Sequence, residues 1–437
     1  MSAADHPKLV RAVGRWSLTA LVVNGVVGSG IYGLPSEISH LLGPFGPWAY
    51  VIAAAGTGAI MACFAEVGSQ FPECGGPYIY ARVAFGQFWG ILMGWLNWLV
   101  RLTSAAANAN IFIAYLAQFL PPAAAPAPRA AILVLLLGAL AVANLRGVKL
   151  GAGVNTFLAG AKLVPLALFI LLGLWLARGA WPASAPALFL PGVPGAGNWL
   201  SAILLLVFAY GGFEVATFGM SEARDTRRDI PFSLFTGIVI VFVIYTLIQV
   251  VVVRVLGGAA GGTAPIAEAA RVFLGPAGAA FMSLGALLSV YGNLSASLLN
   301  GPRLVYAMAE RGDFPPILGA VGRRFHTPYV SILVYALITL GLSLFGSFRW
   351  NAILAAVARL FTYASVCVAV LVLRRKQPDA VAFRLRAAGL WVGAGVLFLA
   401  AAGLRMDRGS LAIVGAIVAV SFANWLWARR RTAPASA

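Results

Sequence analysis

Two apolar stretches of the sequence carry a glycine cluster near their middle. The first reads Val26-Val27-Gly28-Ser29-Gly30-Ile31-Tyr32, and the second reads Phe208-Ala209-Tyr210-Gly211-Gly212-Phe213-Glu214. Glycine in a helix interior costs up to about 1 kcal/mol relative to alanine, so local unwinding is predicted in both stretches. An unwound segment inside a membrane leaves backbone groups unpaired, and it survives only where it lines a cavity.

The backbone groups freed by such breaks have a definite chemistry. The N–H groups after Gly28 would lie at the positive end of a half-helix, where they suit a carboxylate. The carbonyls of Phe208, Ala209 and Tyr210 would lie at the negative end of another half-helix, where they suit an ammonium. A pocket that offers both binds a zwitterion such as an amino acid. The alternative is that the glycines only allow close helix packing, and two clusters at related positions argue against it. The residues predicted to bind substrate are Val27, Gly28, Ser29, Gly30, Ile31, Arg101, Phe208, Ala209, Tyr210 and Gly211.

Ionisable residues also fall inside apolar stretches, where a charge costs at least about 2.5 kcal/mol and usually has a role. Arg101 either touches the substrate, which would disfavour cationic substrates, or forms a scaffold ion pair. Glu214 could cap exposed N–H groups, pair with Arg101 or serve as a proton site. For Glu66 a structural or gating salt bridge is favoured over a transport role. Arg359 has no assignment from sequence.

The composition requires a lipid environment for most of the chain. Hydrophobic residues make up 61% and charged residues 10%, whereas a soluble domain carries roughly 25% charged residues. The net charge is +18, but the basic residues lie between apolar runs rather than on one face. This placement indicates membrane topology rather than nucleic-acid binding. Three cysteines without a CxxC pair indicate no disulfide framework.

About 20 mostly apolar residues cross a bilayer, and twelve stretches of the sequence meet this requirement. They are residues 14–39, 45–71, 86–119, 129–146, 151–177, 197–222, 232–256, 277–309, 328–346, 350–373, 385–403 and 409–428. The first lacks a cleavage site and is expected to be a retained span rather than a signal peptide. The glycine clusters lie in the first and sixth spans, and this offset of five is typical of an inverted repeat with a midplane binding site.

The predicted organisation is a single all-α membrane domain over residues 1–437. It comprises a first repeat (14–177, helices 1–5), a second repeat (197–373, helices 6–10) and two further helices (385–428). Counting Lys and Arg in the connections gives 21 on the side of the N-terminus and 7 on the other. Both termini are therefore expected in the cytoplasm. The Gly- and Ala-rich connection 257–277, on the outer side, is predicted to hold short helices that act as a lid. The Ala- and Arg-rich composition and short tails favour a bacterial inner membrane.

Several motifs together resemble the bacterial amino acid permeases of the amino acid–polyamine–organocation superfamily. They are Gly28-Ser29-Gly30-Ile31, Phe64-Ala65-Glu66, Phe71 to Tyr78, Phe208 to Glu214, Ser221 to Pro231, Arg303 to Ala309 and Asp313-Phe314-Pro315. Their order and spacing extend the resemblance from about residue 10 to residue 428. Two features depart from the family pattern: Asp225-Thr226 stands where Asn-Pro is usual, and the third span carries Arg101.

The resemblance implies the leucine-transporter fold, with two inverted five-helix repeats plus two extra helices, and alternating access by rocking of a helix bundle. It places Phe208 where the family often has an aromatic lid over the substrate. It also implies that Lys162 replaces a sodium ion, near the break in the first helix and a hydroxyl of the eighth such as Ser289. Lys162, Glu214 and Ser289 are therefore the predicted proton-coupling residues. Lys162 could instead be a fixed cation that pins helices together without titrating.

Other classes of membrane protein are disfavoured by missing motifs. The sequence has no HExxH motif, no paired acidic motif and no GxxxxGK[ST] phosphate loop, which argues against an enzyme and against ATP-driven transport. No metal or other cofactor is expected. The predicted function is secondary transport of amino acids, with small or apolar neutral substrates and proton symport as the first choice. Exchange, export, a channel and a ligand sensor stay open as alternatives, and the oligomeric state cannot be read from the sequence.

Overall fold

The computed structural model describes residues 14–71, 75–147, 152–176, 194–215, 225–257, 262–378 and 383–432, and these ranges contain helices and no strand. The helices are α1 (Arg15–Val26), α2 (Ser29–Leu42), α3 (Gly46–Gln70), α4 (Pro77–Phe85), α5 (Gln87–Leu116), α6 (Pro126–Leu145), α7 (Ala152–Leu176), α8 (Ala196–Ala209), α9 (Thr226–Leu256), α10 (Pro265–Glu310), α11 (Tyr329–Phe345), α12 (Phe348–Lys376), α13 (Ala388–Gly403) and α14 (Arg408–Thr432). Short 3₁₀ turns occur at Gly43–Phe45, Pro121–Ala124, Phe213–Val215 and Pro316–Gly319.

By length and composition, seven helical stretches among the described residues could cross a membrane. One of them, Ser29–Gln70, joins α2 and α3 through the turn between them. Four shorter apolar helices of 10–17 residues accompany these seven. The all-helical membrane class predicted from the composition is therefore confirmed. Parts of the predicted fifth and sixth spans and of the tails, including residues 148–151 and 216–224, lie outside the described ranges.

Helix boundaries follow local capping and backbone geometry. The Asp225 carboxylate accepts the N–H groups of Arg227 and Arg228 at the start of α9, and the Ser347 hydroxyl accepts an N–H at the start of α12. Helix α10 bends at Gly275, where φ is 68° and the next residue is a proline that cannot donate to the helix. The segment before this bend is helical within the connection predicted to form a lid, although residues 258–261 of that connection are not among those described.

Helices from the two halves of the chain pack against each other in pairs. Helix α2 packs on α8, α3 on α9, α5 on α10 and α6 on α11. The rings of Tyr50, Tyr210 and Tyr245 meet between α3, α9 and the end of α8, with centroids 5.5–6.4 Å apart. The pairing of α2 with α8 brings the two glycine clusters side by side.

Candidate functional site

The first glycine cluster interrupts a membrane helix, as its composition predicts. Helix α1 ends at Val26 and α2 begins at Ser29, and Gly28 between them is extended, with φ −145° and ψ −150°. A hydroxyl from the second half of the chain satisfies part of the exposed backbone, because Tyr245 donates to the carbonyl of Val26 at 2.9 Å.

Two asparagines, the buried Asn108 and the partly buried Asn293, add hydrogen bonds to this break. Asn293 on α10 donates its Nδ2 to the carbonyl of Val27 at 2.9 Å, and Asn108 on α5 accepts the Ser29 N–H at 3.3 Å. A Cβ at Gly28 would lie 2.4 Å from Asn293 Nδ2, so a larger residue there would displace this carboxamide. Sequence reasoning missed both asparagines. The signal was present, because a carboxamide in the middle of an apolar span requires a polar partner.

The second cluster ends α8 at Ala209 and turns the chain through Tyr210 and Gly211. The Phe208 carbonyl accepts the Gly211 N–H at 3.2 Å, so this carbonyl is already paired. The Tyr210 hydroxyl donates to the carbonyl of Tyr50 at 3.1 Å. The side chain of Tyr210 therefore points toward α3, and any contribution of this residue to a ligand would come from its backbone.

Close backbone contacts hold the two breaks together. Gly212 has φ +109°, and a Cβ there would lie 2.3 Å from the carbonyl oxygen of Gly25. A Cβ at Gly30 would lie 2.9 Å from the Cα of Ala209. A residue with a side chain rarely adopts a positive φ, and the backbone atoms beside both glycines leave no space for a Cβ. These glycines thus allow close packing as well as unwinding, so both readings of the clusters apply.

A buried charged cluster adjoins the second break. The Glu214 carboxylate accepts the Gly212 N–H at 2.8 Å, the Tyr363 hydroxyl at 2.9 Å and Nε of Arg359 at 3.3 Å. Glu214 thus caps an exposed N–H, which is one of the roles considered from sequence. It also forms an ion pair with Arg359, which has no assignment from sequence. Arg101 on α5 lies near enough to interact electrostatically with both of these groups.

Lys162 on α7 is 2% exposed and donates its Nζ to Oδ1 of Asn293 at 2.5 Å. Asn293 lies one helical turn beyond Ser289, the predicted partner, on the same helix. The Ser289 hydroxyl is fully buried and lies close enough to the Tyr32 hydroxyl to interact with it. Within those residues no carboxylate forms an ion pair with Lys162, and its link to the first break runs through Asn293.

Two further observations concern the residues predicted to bind substrate. The Ser29 hydroxyl is buried at the break without a hydrogen-bond partner in the described part of the chain. Ile31, one turn into the same helix, is fully buried. The first turn of α2 therefore presents helix N–H groups and one unsatisfied hydroxyl, which together suit an anionic group.

A cavity of about 630 Å³ lies at the end of α2 remote from the break. Its lining includes Gly33, Glu37, Asn110, Arg129, Phe348 and Arg349. Phe348 packs edge-on against Phe208, with ring centroids 6.1 Å apart, so these two rings separate the cavity from the second break. Glu37 and Arg349 form an ion pair of 3.2 Å across the cavity rim. Ser36 donates to the carbonyl of Gly262 at 2.7 Å, which ties α2 to the segment predicted to act as a lid.

Glu66 on α3 forms an ion pair far from both breaks. Its fully buried carboxylate accepts Nε and Nη2 of Arg374 at 2.6 and 2.8 Å, and the Leu385 N–H at 2.8 Å. This bidentate pair is the geometry expected of a structural salt bridge. In the described ranges, no three His, Cys, Asp or Glu side chains lie together as metal ligands would.

Comparisons with known proteins agree with this architecture. The family model for the amino acid permeases matches residues 13–434. The serine/threonine exchanger SteT of Bacillus subtilis is 27% identical over 332 residues, which is 74% of each chain. The methylthioribose transporter of the same organism is 25% identical over 400 residues, covering 87% of this chain and 85% of the relative. The vacuolar cationic amino acid transporter 4 of Arabidopsis thaliana is 26% identical over 86% of this chain and 66% of its own length.

The family match spans nearly the whole chain, and the relatives are named as transporters. A helix interrupted at Gly28 that lies beside the end of another helix at Ala209 fits the architecture of such a transporter. This chain belongs to the amino acid permease family of the amino acid–polyamine–organocation superfamily.

Proposed function

We propose that this protein is a secondary active transporter that carries small or apolar neutral amino acids across the plasma membrane by alternating access, driven by proton symport. The observation that carries the proposal is the first turn of α2, where helix N–H groups and the unsatisfied Ser29 hydroxyl meet at a break in the membrane. A substrate carboxylate would bind there and displace the Asn108 oxygen, whose hydrogen bond to Ser29 is long at 3.3 Å. The substrate ammonium would lie at the carbonyls of Ala209 and Tyr210.

The packing of the helices supports an inverted repeat with twelve spans. The pairs α2–α8, α3–α9, α5–α10 and α6–α11 each join a helix of the first half to the one five spans later. In such a fold the two interrupted helices rock together against the remaining helices. With both termini in the cytoplasm, the cavity beside Glu37 opens to the outside. The proposed state is then outward-facing, with Phe208 and Phe348 as the closed inner floor of the cavity.

Proton coupling is proposed at Lys162. A buried ammonium with no carboxylate partner is costly, so its charge depends on what surrounds it. Loss of the proton would weaken the hydrogen bond to Asn293, because the donor would no longer be charged, and the same carboxamide also holds the carbonyl of Val27. The charge of Lys162 would in this way bias the position of the first break. Glu214 and Ser289 are secondary candidates, because Glu214 already has a cationic partner.

Exchange is the second candidate mode, because the relative SteT is named a serine/threonine exchanger. The same architecture serves uptake and exchange, and the two differ in whether the empty carrier can reorient. Transport into empty liposomes requires that reorientation, whereas exchange does not.

The test is uptake of labelled amino acids into proteoliposomes, with and without an inward proton gradient. Uptake of a neutral amino acid into empty vesicles, stimulated by the gradient, is the expected result. Uptake only into vesicles preloaded with amino acid would establish an exchanger in place of the symporter. Ligand binding without flux of any compound would refute transport and favour a sensor.

A further inference from the structure

The Arg359 side chain packs against Gly211, at the second break. The residue is 5% exposed, and its guanidinium carbon is 5.6 Å from the centre of the Phe208 ring. A Cβ at Gly211 would lie 2.4 Å from Arg359 Nε. The glycine at this position therefore admits a guanidinium against the turn that follows α8.

The hydrogen bonding of this guanidinium is incomplete. Nε donates to Glu214 at 3.3 Å, and Nη2 donates to the Ser104 hydroxyl at a long 3.4 Å. Nη1 is buried and has no hydrogen-bond partner among the described residues. Arginine has five N–H donors, and leaving a buried donor unpaired is costly. An unpaired donor in such a place indicates that a ligand completes the site.

The position of Arg359 relative to Ser29 shows which part of a ligand it would meet. The Ser104 carbonyl accepts Nδ2 of Asn108 at 2.7 Å, while Oδ1 of the same carboxamide accepts the Ser29 N–H. Arg359 thus contacts Ser104, which lies one helical turn along α5 from Asn108, the residue whose oxygen now occupies the carboxylate position. A substrate held by its carboxylate at Ser29 and its ammonium at Ala209 would extend its side chain toward Arg359.

The charged residues around Arg359 disfavour substrates with a cationic side chain. Arg359 and Arg101 both lie there, and Glu214 already accepts hydrogen bonds from Gly212 and Tyr363 as well as from Arg359. A cationic side chain would approach two guanidinium groups in a region of low dielectric constant. An oxygen atom that accepts a hydrogen bond would instead satisfy Nη1.

We propose that Arg359 is a specificity-determining residue that selects amino acids whose side chain carries an oxygen acceptor, such as a hydroxyl or carboxamide, over purely apolar and cationic ones. This inference rests on the proposed transport function and narrows its substrate class. A site built to hydrogen-bond a substrate rejects the analogue that lacks the group, because the protein donor is then left unpaired.

The experiment measures KM for serine, asparagine, alanine and lysine by counterflow in proteoliposomes, which needs no proton gradient. For the unmodified protein, serine and asparagine should show KM values at least about tenfold below that of alanine, as expected for a hydrogen bond to a charged donor, with no lysine transport. Arg359→Lys keeps the positive charge beside Glu214 but lacks the fork that carries Nη1. In Arg359→Lys the KM values for serine and alanine should differ by less than about threefold. The exposed control Arg408→Gln should keep the full preference for serine.

Where Arg359→Lys does not transport, the pair Arg359→Gln and Glu214→Gln removes both charges together, and ligand-induced shifts in Tm replace KM. Serine should then raise Tm no more than alanine does. An unchanged preference in either variant, or equal KM values for serine and alanine in the unmodified protein, would overturn the role of Arg359 while leaving transport intact. Absence of flux for every amino acid in the unmodified protein would instead refute the proposed function.

Discussion

Lys162 and Asn293, which are 131 residues apart in the chain, form a hydrogen bond of 2.5 Å between Nζ and Oδ1. The other end of the same carboxamide holds the carbonyl of Val27 at 2.9 Å. One side chain therefore joins the buried cation to the break in the first membrane helix. Any change in the charge of Lys162 alters a group that fixes the backbone of that break.

Replacement of Lys162 by glutamine should uncouple transport from the proton gradient. We expect Lys162→Gln to lose stimulation of uptake by the proton gradient, because glutamine keeps a hydrogen-bond donor for Asn293 but cannot take up or release a proton. Counterflow of the same substrate should persist. Lys376→Gln, at an exposed lysine at the end of α12, serves as the control and should keep gradient-driven uptake. Full stimulation in Lys162→Gln would show that the lysine is a fixed structural cation.

Asn293 is expected to be as important for transport as Lys162, which it contacts. Asn293→Ala leaves both Lys162 and the Val27 carbonyl without this partner, and losing a hydrogen bond to a charged group costs about 1.5–3 kcal/mol. Uptake should fall at least about tenfold. The matched control is Asn144→Ala, which removes a single bond to the carbonyl of Leu140 within α6. Equal activity of the two variants would show that the contact has no functional role.

The sequence predicted where α1 and α8 end, and for a physical reason. Glycine clusters report on the backbone of their own segment, so the breaks at Gly28 and after Ala209 could be located without coordinates. The composition likewise identified the helical membrane class, since a surface with 10% charged residues can hardly face water.

The partners of the buried polar groups could not be predicted, because each depends on helices distant in the chain. The sequence left Glu214 with three possible roles and Arg359 with none, and their ion pair joins residues that are 145 positions apart in the chain. Asn108 and Asn293 were overlooked because their spans hold other polar residues, such as Asn110 and Ser289, and the sequence does not show which of them face a break. Which side chains face inward depends on how each helix is rotated about its axis. The glycine and charge patterns do not show that rotation.

Gly212 should tolerate no side chain. Gly212→Ala combines a positive φ of +109° with a Cβ placed 2.3 Å from the Gly25 carbonyl oxygen, a backbone atom that cannot move aside alone. Strain of this kind costs about 1–3 kcal/mol, so the variant should have a lowered Tm in detergent together with reduced uptake. Gly138→Ala in α6, where a Cβ meets nothing within 4 Å, should leave Tm unchanged or raise it. A normal Tm for Gly212→Ala would show that the two breaks are not held in close contact.

Asp407, in the connection before α14, provides a test by pH. Its carboxylate accepts the Ser410 hydroxyl and the N–H groups of Ser410 and Gly409, and these bonds hold the pKa of Asp407 below its ordinary value. Because the folded pKa is lowered, the stabilisation is present above the unfolded pKa of about 3.9 and is lost as the pH falls through the folded value. Asp407→Ala should cost about 0.5–1 kcal/mol near neutral pH, the low end for an exposed helix cap. The difference from the unmodified protein should shrink below about pH 3.9 and disappear once Asp407 is protonated in the folded state; a difference that is independent of pH would contradict the cap.

The ion pairs Glu66–Arg374 and Glu37–Arg349 should differ sharply in their contribution to stability. The Glu66 carboxyl group is fully buried and accepts three hydrogen bonds, so Glu66→Ala leaves the Leu385 N–H and Nε of Arg374 without their acceptor, while Nη2 of Arg374 keeps the Leu385 carbonyl. Because the Arg374 side chain is 31% exposed, the loss is that of buried hydrogen bonds, about 1–3 kcal/mol. Glu37 and Arg349 are 26% and 47% exposed at their side chains, so water screens their attraction and Glu37→Ala should cost less than about 1 kcal/mol. Thermal unfolding of both variants in the same detergent measures this contrast, and equal losses of stability would mean that the Glu66 pair is hydrated rather than buried.

If Glu37 instead closes the outer cavity, its replacement should alter the KM for external substrate while Tm stays within about 2–4 °C of the unmodified protein.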